Sequence, residues 1–191
     1  METMGNDNKK DGSDPRRRII IQPNIGLDEY DRWSVVVMLN TILADEAILT
    51  AKTSSAYWHI HGTELLSIQP LFEAQLKQLS SISHDVAERI RILGGFVISS
   101  FKEILHETRL EEQPGEVPNL MRLLADHEAS IRFLREDAHK CLDAYEDLGT
   151  FDLLTQILRV HEKMAWNLRS CLQPDLTPAE IERSKNGPTR R

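Results

Sequence analysis

At 191 residues, 40% hydrophobic and 28% charged, the chain has the composition of a globular domain with room for one sizeable core, which excludes wholesale disorder. The formal net charge of -7 makes the body of the protein a poor match for nucleic acid, and any phosphate contact would fall to cationic tails. No continuous run reaches the roughly 18 apolar residues of a membrane span and Met1 to Asp14 is polar, so we expect a cytoplasmic protein with no membrane partner.

The first 27 residues read as a flexible tail carrying Arg16, Arg17 and Arg18. A helical segment follows over about residues 28–61, apolar in its middle at Val35 to Leu39, Ile42, Leu43, Ala47 and Ile48. Gly62 can close it in the left-handed conformation. The second segment carries Leu65, Phe72, Leu76, Leu79, Ile82, Val86, Ile90 and Leu93 at helical spacing, interrupted only by Pro70, and Gly94 closes it. Residues 95–117 form a long link with a short amphipathic piece at Phe101 to His106. Beyond Pro118, expected in the first turn of the next helix, a stripe runs from Leu120 through His127, Leu134, Ala138 and Cys141 to Tyr145 and Leu148. A turn at Gly149 leads to a last stripe of Leu154, Ile157, Leu158, His161, Ala165, Leu168 and Leu172. Residues 174–191 read as a second flexible tail, with Arg183, Lys185, Arg190 and Arg191 and no acid after Glu182. Cys141 and Cys171 form no CxxC pattern and are expected to be buried thiols in a reducing compartment.

Four helices of about 22 to 34 residues are rods of about 33 to 50 Å that must bury their stripes on one another. Short links at Gly62 and Gly149 make two antiparallel hairpins, and the long middle link makes the connection between them a crossover. The fold class is therefore all-α: a ferritin-like four-helix bundle over residues 28–173, with a long crossover carrying a short helix between helices two and three.

The second helix carries chemistry on the face away from its stripe. Gln69, Glu73, His84 and Glu88 fall within about 100° of one another at 100° per residue. His84 and Glu88, one turn apart, can share a cation or simply a hydrogen bond. Glu73 and His84 are separated by about 16 Å along the axis, so one ion cannot touch both within one chain. Two copies crossing antiparallel near Ser80, Ser81 and Ser83 bring Glu73 of one subunit against His84 and Glu88 of the other, which defines a candidate metal site at a two-fold axis. Glu136 and His139, with Glu46 and His161, are candidates for a private site inside one bundle, although the full set of two ExxH motifs is absent; His127 and His161 read first as satisfied core histidines, and Trp58 and Trp166 as core or interface packing.

Several runs resemble the Dps mini-ferritins, a branch of the ferritin-like family. They are Leu39-Asn40, Leu43-Ala44-Asp45, Lys52-Thr53, Tyr57-Trp58, Leu71-Phe72-Glu73, Ala87-Glu88-Arg89-Ile90 to Gly95, and His161 to Trp166 with Leu168-Arg169. The resemblance spans roughly residues 33–172 and implies a homo-oligomer, a hollow dodecamer built from two-fold dimers. It implies Fe(II) oxidation, usually with hydrogen peroxide, at a di-iron site between subunits, storage of ferric iron, protection against oxidative stress, and DNA binding through basic tails with association with the nucleoid. The family's ligand pattern is altered here. Tyr57 replaces a histidine, Gln69 and Glu73 stand for a histidine and an aspartate, His84 stands for an aspartate, and Glu88 is retained. Tyr57 and Gln69 are poor ligands at neutral pH, and the loss of carboxylates favours Fe(II) over Fe(III). The expected catalytic and metal-binding residues are Glu73, His84 and Glu88, with Gln69, Tyr57 and His61 as outer participants. Zinc is an alternative occupant of such a nitrogen and oxygen donor set. The DNA-binding residues would be Arg16, Arg17, Arg18, Arg183, Lys185, Arg190 and Arg191. The chain would then be a ferroxidase-type oxidoreductase; the alternative is a non-enzymatic shell or nucleoid-associated protein that has lost the oxidation site.

Overall fold

The computed structural model describes residues 23–62 and 65–173, so the tail residues Arg16 to Arg18 and Arg183 to Arg191 lie outside the described residues. Five helices follow in chain order: α1 (Glu29–His59), α2 (Leu65–Ile92), α3 (Phe101–Glu107), α4 (Leu120–Asp143) and α5 (Leu148–Leu172). There is no strand among the described residues. The starts are capped by local acceptors: Asp28 takes the Asp31 N–H, Asn119 that of Arg122, and Asp147 that of Thr150. Ser100 and Glu103 form a reciprocal capping box on α3.

α1 and α2 pack as one hairpin and α4 and α5 as the other, and the 93–119 crossover runs back along α1 between them. The core joins Leu39, Ile42 and Leu49 of α1, Phe72, Leu79 and Ile90 of α2, Leu123 and Leu134 of α4, and Leu154, Met164 and Leu168 of α5. By length and composition α1 could also cross a membrane, but its buried residues include Arg32, Asn40, Asp45, Glu46 and Lys52, which suits the central helix of a bundle.

Those polar side chains fasten the crossover. Asn40 donates to Phe96 O and accepts from Ile98 N, both at 3.0 Å. Asp45 accepts from Thr108 Oγ1 at 3.0 Å and from the Arg109 backbone N–H at 2.6 Å. Lys52 donates to Glu111 O and to Asp126 of α4, both at 2.7 Å. The crossover thus follows the length of α1, which returns the chain to the end where α4 must begin.

Several sequence expectations change in detail. Gly94 follows α2 with positive φ as expected, but Gly62, also at positive φ, does not close α1, which ends at His59 with an extended cap at Ile60 and leaves Gly62 in the link. Pro118 lies outside α4, because Asn119 caps a helix that starts at Leu120. The second hairpin turns at residues 144–147, where Glu146 has φ 50°, and Gly149 is already inside α5. The α4 stripe therefore ends at Cys141, and Leu148 is exposed. Cys141 is buried, but Cys171 is exposed on the last turn of α5. Trp58 and Trp166 are 74% and 59% exposed in the single chain, so neither is core.

Candidate metal site on the uncovered face of α2

α2 packs its apolar stripe against α1 and α5, which leaves its opposite face open. Two separate groups of polar side chains stand on that face or at its edge.

The first group joins the two helices of the hairpin. Tyr57, near the end of α1, donates its phenol O–H to Glu73 Oε1 at 3.0 Å, and Gln69 donates from Nε2 to the same phenol oxygen at 3.1 Å. The amide thus supports the phenol and the phenol aims the carboxylate, so Tyr57 and Gln69 orient Glu73 in this arrangement. Pro70 is accommodated inside α2 beside this group, in the first turns.

The second group is His84 and Glu88. His84 Nε2 is 3.9 Å from Glu88 Oε2, with the side chains 80% and 63% exposed. A cation about 2.1 Å from each donor spans up to about 4.2 Å, so the pair can close on one ion without moving the helix. The intervening residues Ser80 and Ser81 are exposed and small. Within one chain, no three His, Cys, Asp or Glu side chains among the described residues converge on an ion. Glu73 and the His84–Glu88 pair stand as two separate groups on one helix face.

His61 does not extend the Tyr57 face. α1 ends at His59, and His61 Nδ1 lies 3.0 Å from the backbone oxygen of that residue, in the link. The ExxH of α4 is also outside any interior site: Glu136 and His139 are both exposed, with His139 beside Asp143 at 3.9 Å.

Inside the bundle, Glu46, His127 and His161 are fully buried and in contact. His161 turns one ring nitrogen toward each neighbour, so the three donors do not converge on a single point. His127 and His161 are core histidines as expected, but His127 Nε2 has no hydrogen-bond partner. Burial and the neighbouring His161 push the His127 imidazole down to about 3.

The sequence gives no signal for the role of Tyr57 as a bridge to Glu73, because it depends on two helices meeting. Its twelve- and sixteen-residue separations from Gln69 and Glu73 become visible as contacts only in the hairpin.

Comparison with known proteins follows the same lines. The ferritin-like domain family matches residues 37–175. An uncharacterized low temperature-induced protein of Nostoc sp. is 37% identical over 78% of this chain and 86% of its own length. DNA protection during starvation protein 2 of Bacillus anthracis is 28% identical over 72% of this chain and 96% of its own length. Among solved structures, DpsC from Streptomyces coelicolor superposes with a TM-score of 0.77 at 26% identity, covering 82% of this chain and 94% of that one. A Dps protein from Vibrio cholerae O1, described as a member of a broad superfamily of ferritin-like diiron-carboxylate proteins, shares the fold with a TM-score of 0.73 at 24% identity, covering 80% of this chain and 97% of that one.

Proposed function

The chain belongs to the ferritin-like family and, within it, to the Dps mini-ferritins, and on that premise we propose that it binds Fe(II) and oxidises it with hydrogen peroxide at a site shared by two subunits. The observation that carries this reading is the division of one helix face into two half-sites, Glu73 with Tyr57 and Gln69, and His84 with Glu88. Antiparallel pairing of two α2 helices completes both at once. The product is stored as ferric iron inside a hollow homo-oligomer in the cytoplasm. The description of the Vibrio cholerae neighbour as a diiron-carboxylate protein supports iron as the metal.

Fe(II) is the substrate. Each of two Fe(II) ions gives one electron to one peroxide, two protons are consumed, and two waters leave. Glu73 and Glu88 supply anionic oxygen and His84 supplies a neutral nitrogen. The phenol of Tyr57 holds Glu73 in place without adding charge. A set with few carboxylates binds Fe(II) adequately but holds hard Fe(III) weakly, which favours release of the product to the mineral.

The test is peroxide-driven oxidation in the assembled protein after anaerobic loading with Fe(II). Glu73→Gln and His84→Ala are each expected to slow the initial rate about tenfold or more, since each removes a donor from the reacting ions. Rates equal to the parent protein would overturn the reading.

A second reading has its own support: a shell that protects DNA by binding it, without oxidising iron. Relatives named for DNA protection during starvation and the cationic residues after Glu182 favour it. An assembled protein that shifts DNA but oxidises Fe(II) with peroxide no faster than the protein-free mixture would establish this alternative.

A further inference from the structure

The sequence sets two histidines on either side of one residue, His59-Ile60-His61, where α1 gives way to the link before α2. Ile60 has φ -65° and ψ 135°, an extended conformation. Across one extended residue the flanking side chains leave on the same side of the backbone, with their Cα atoms about 6.5 Å apart. Had the helix run on, positions 59 and 61 would stand about 200° apart around its axis. The end of α1 at His59 is therefore what brings the two rings to one side.

Both rings are held by backbone carbonyls. His59 Nδ1 lies 2.7 Å from Ser55 O, and His61 Nδ1 lies 3.0 Å from His59 O. A carbonyl oxygen only accepts, so the hydrogen of each bond sits on Nδ1, and in the neutral ring Nε2 is then the lone-pair atom. Metal-ligating histidines carry the same outer bonding, with one ring N–H given to a carbonyl and the other nitrogen left for the ion. Both residues are exposed, so an ion can reach them from solvent.

His59 and His61 also line one cavity of about 370 Å³, where the end of α1 meets the starts of α2 and α4. Buried Ala56, Ile68 and Phe72 form part of its wall and offer a cation nothing. Asn119, the remaining polar residue of the lining, has its side-chain oxygen on the Arg122 N–H. Among the described residues no third His, Cys, Asp or Glu converges there. The donors are thus two neutral nitrogens without a carboxylate, a set that suits borderline ions and gives little to hard ones. Glu73 and Glu88 give the face of α2 the opposite balance.

We propose that His59 and His61 form a further metal site at the link between α1 and α2, which takes a borderline divalent ion through the two Nε2 atoms. Among first-row divalent ions Cu(II) binds such nitrogen donors most tightly. Two nitrogens about 2.0 Å from one ion stand at most about 4 Å apart, within the reach of imidazoles on Cα atoms about 6.5 Å apart. Water from the open cavity completes the coordination. The site involves no redox step, needs no second subunit, and holds such an ion apart from Glu73, His84 and Glu88, for which it would otherwise compete.

The probe is Cu(II), added below one equivalent per subunit to the full-length assembled protein carrying Glu73→Gln and His84→Ala, which removes the competing donors of α2. Pulsed electron paramagnetic resonance, which detects the remote imidazole nitrogens, is expected to count two imidazoles on each copper. The Cu(II) dissociation constant, measured by competition with a chelator, should rise about tenfold or more when either His59→Gln or His61→Gln is added, since outer-shell changes alone commonly cost about 10- to 100-fold. One imidazole per copper overturns the proposal, and so does a constant that moves with only one of the two substitutions or with neither. An unchanged assembly mass shows that lost binding is not a lost shell. Should a variant fail to assemble, the nitrogen count with both histidines present decides alone. None of these outcomes depends on whether the face of α2 oxidises iron.

Discussion

Arg109, in the crossover, reaches back to Asp45 in the middle of α1, with Nε 2.9 Å from Oδ2 and the backbone N–H 2.6 Å from Oδ1. The same guanidinium donates from Nη1 to Asp137 of α4 at 2.7 Å and lies 4.4 Å from the centroid of the Phe133 ring. One cation therefore joins the two hairpins to the connection between them. Both carboxylates are 3% exposed. Arg109→Leu leaves buried Asp45 without its cation and Asp137 with Lys140 alone, and we expect a loss of about 3–5 kcal/mol in denaturant unfolding. Arg109→Lys should recover little, because a single ammonium cannot span both acids and the backbone side of Asp45 in the same plane. A loss below about 1 kcal/mol for the leucine variant would show that the bridge is not a main fastening.

Gly95 is a second constraint on the crossover. A Cβ there would lie 2.5 and 2.6 Å from the two methyl carbons of Val36 and 3.1 Å from a methyl of Ile90. Val36 is buried and β-branched, so it has few rotamers to retreat into. Gly95→Ala should cost about 1–3 kcal/mol by overpacking, and Gly95→Ala with Val36→Ala should cost less than the sum of the two single changes. Additive losses would remove the steric explanation.

Much of the fold was legible because long stripes at helical spacing and few breakers leave little alternative to four helices, and Pro114 to Pro118 mark the end of the crossover. The polar residues of α1 were legible only as part of a resemblance. Asn40, Asp45 and Lys52 stand inside an apolar helix, and their partners lie 56 to 74 residues away. Nothing local predicts such partners. α1 is covered by α2, α3 and α4, so it needs no clear polar face, and its weak amphipathicity hid which side met what. The common exposed face of Glu73, His84 and Glu88 was legible from spacing on α2, whereas the Tyr57 contact required the hairpin and the misplaced His61 required the true end of α1.

The two cysteines should separate chemically. The Cys141 thiol is pushed up to about 12, first by burial and then by the Asp147 and Asp137 carboxylates, while Cys171 is exposed. At pH 8 only the thiolate alkylates, so iodoacetamide should modify Cys171 alone in the native protein and both residues after unfolding. The Cys141 thiol titrates above its ordinary value of 9.0, so its contribution to stability is complete below that pH and is lost as pH rises from 9 toward 12. Cys141→Ala should lack that alkaline loss. Equal native labelling at both positions, read by peptide mass spectrometry, would contradict the buried placement.

DNA binding, if carried by the C-terminal cations, is a phosphate interaction with a measurable salt slope. A chain ending at Glu182 lacks Arg183, Lys185, Arg190 and Arg191. Gel shifts at increasing salt should show weaker binding for the shortened protein and a salt slope lower in magnitude by up to about 3–4 per binding subunit. An unchanged slope would place DNA contacts elsewhere on the protein.

The proposed shared metal site makes the sharpest prediction, because it concerns which chain supplies each donor. In a dimer of one Glu73→Gln subunit and one His84→Ala subunit, one of the two sites combines both lesions and the other combines neither. Each variant alone has a defect in every site. Dissociated, mixed in equal amounts and reassembled, about half of the dimers are mixed and each carries one intact site, so about a quarter of the parental Fe(II) oxidation rate should return. The measurement is the initial rate with peroxide before and after co-assembly, with each variant dissociated and reassembled alone as the control. A site contained within one subunit would gain nothing from mixing, so an unchanged residual rate, with mixed assembly verified by mass spectrometry, would rule out the arrangement in which Glu73 of one protomer faces His84 and Glu88 of its partner.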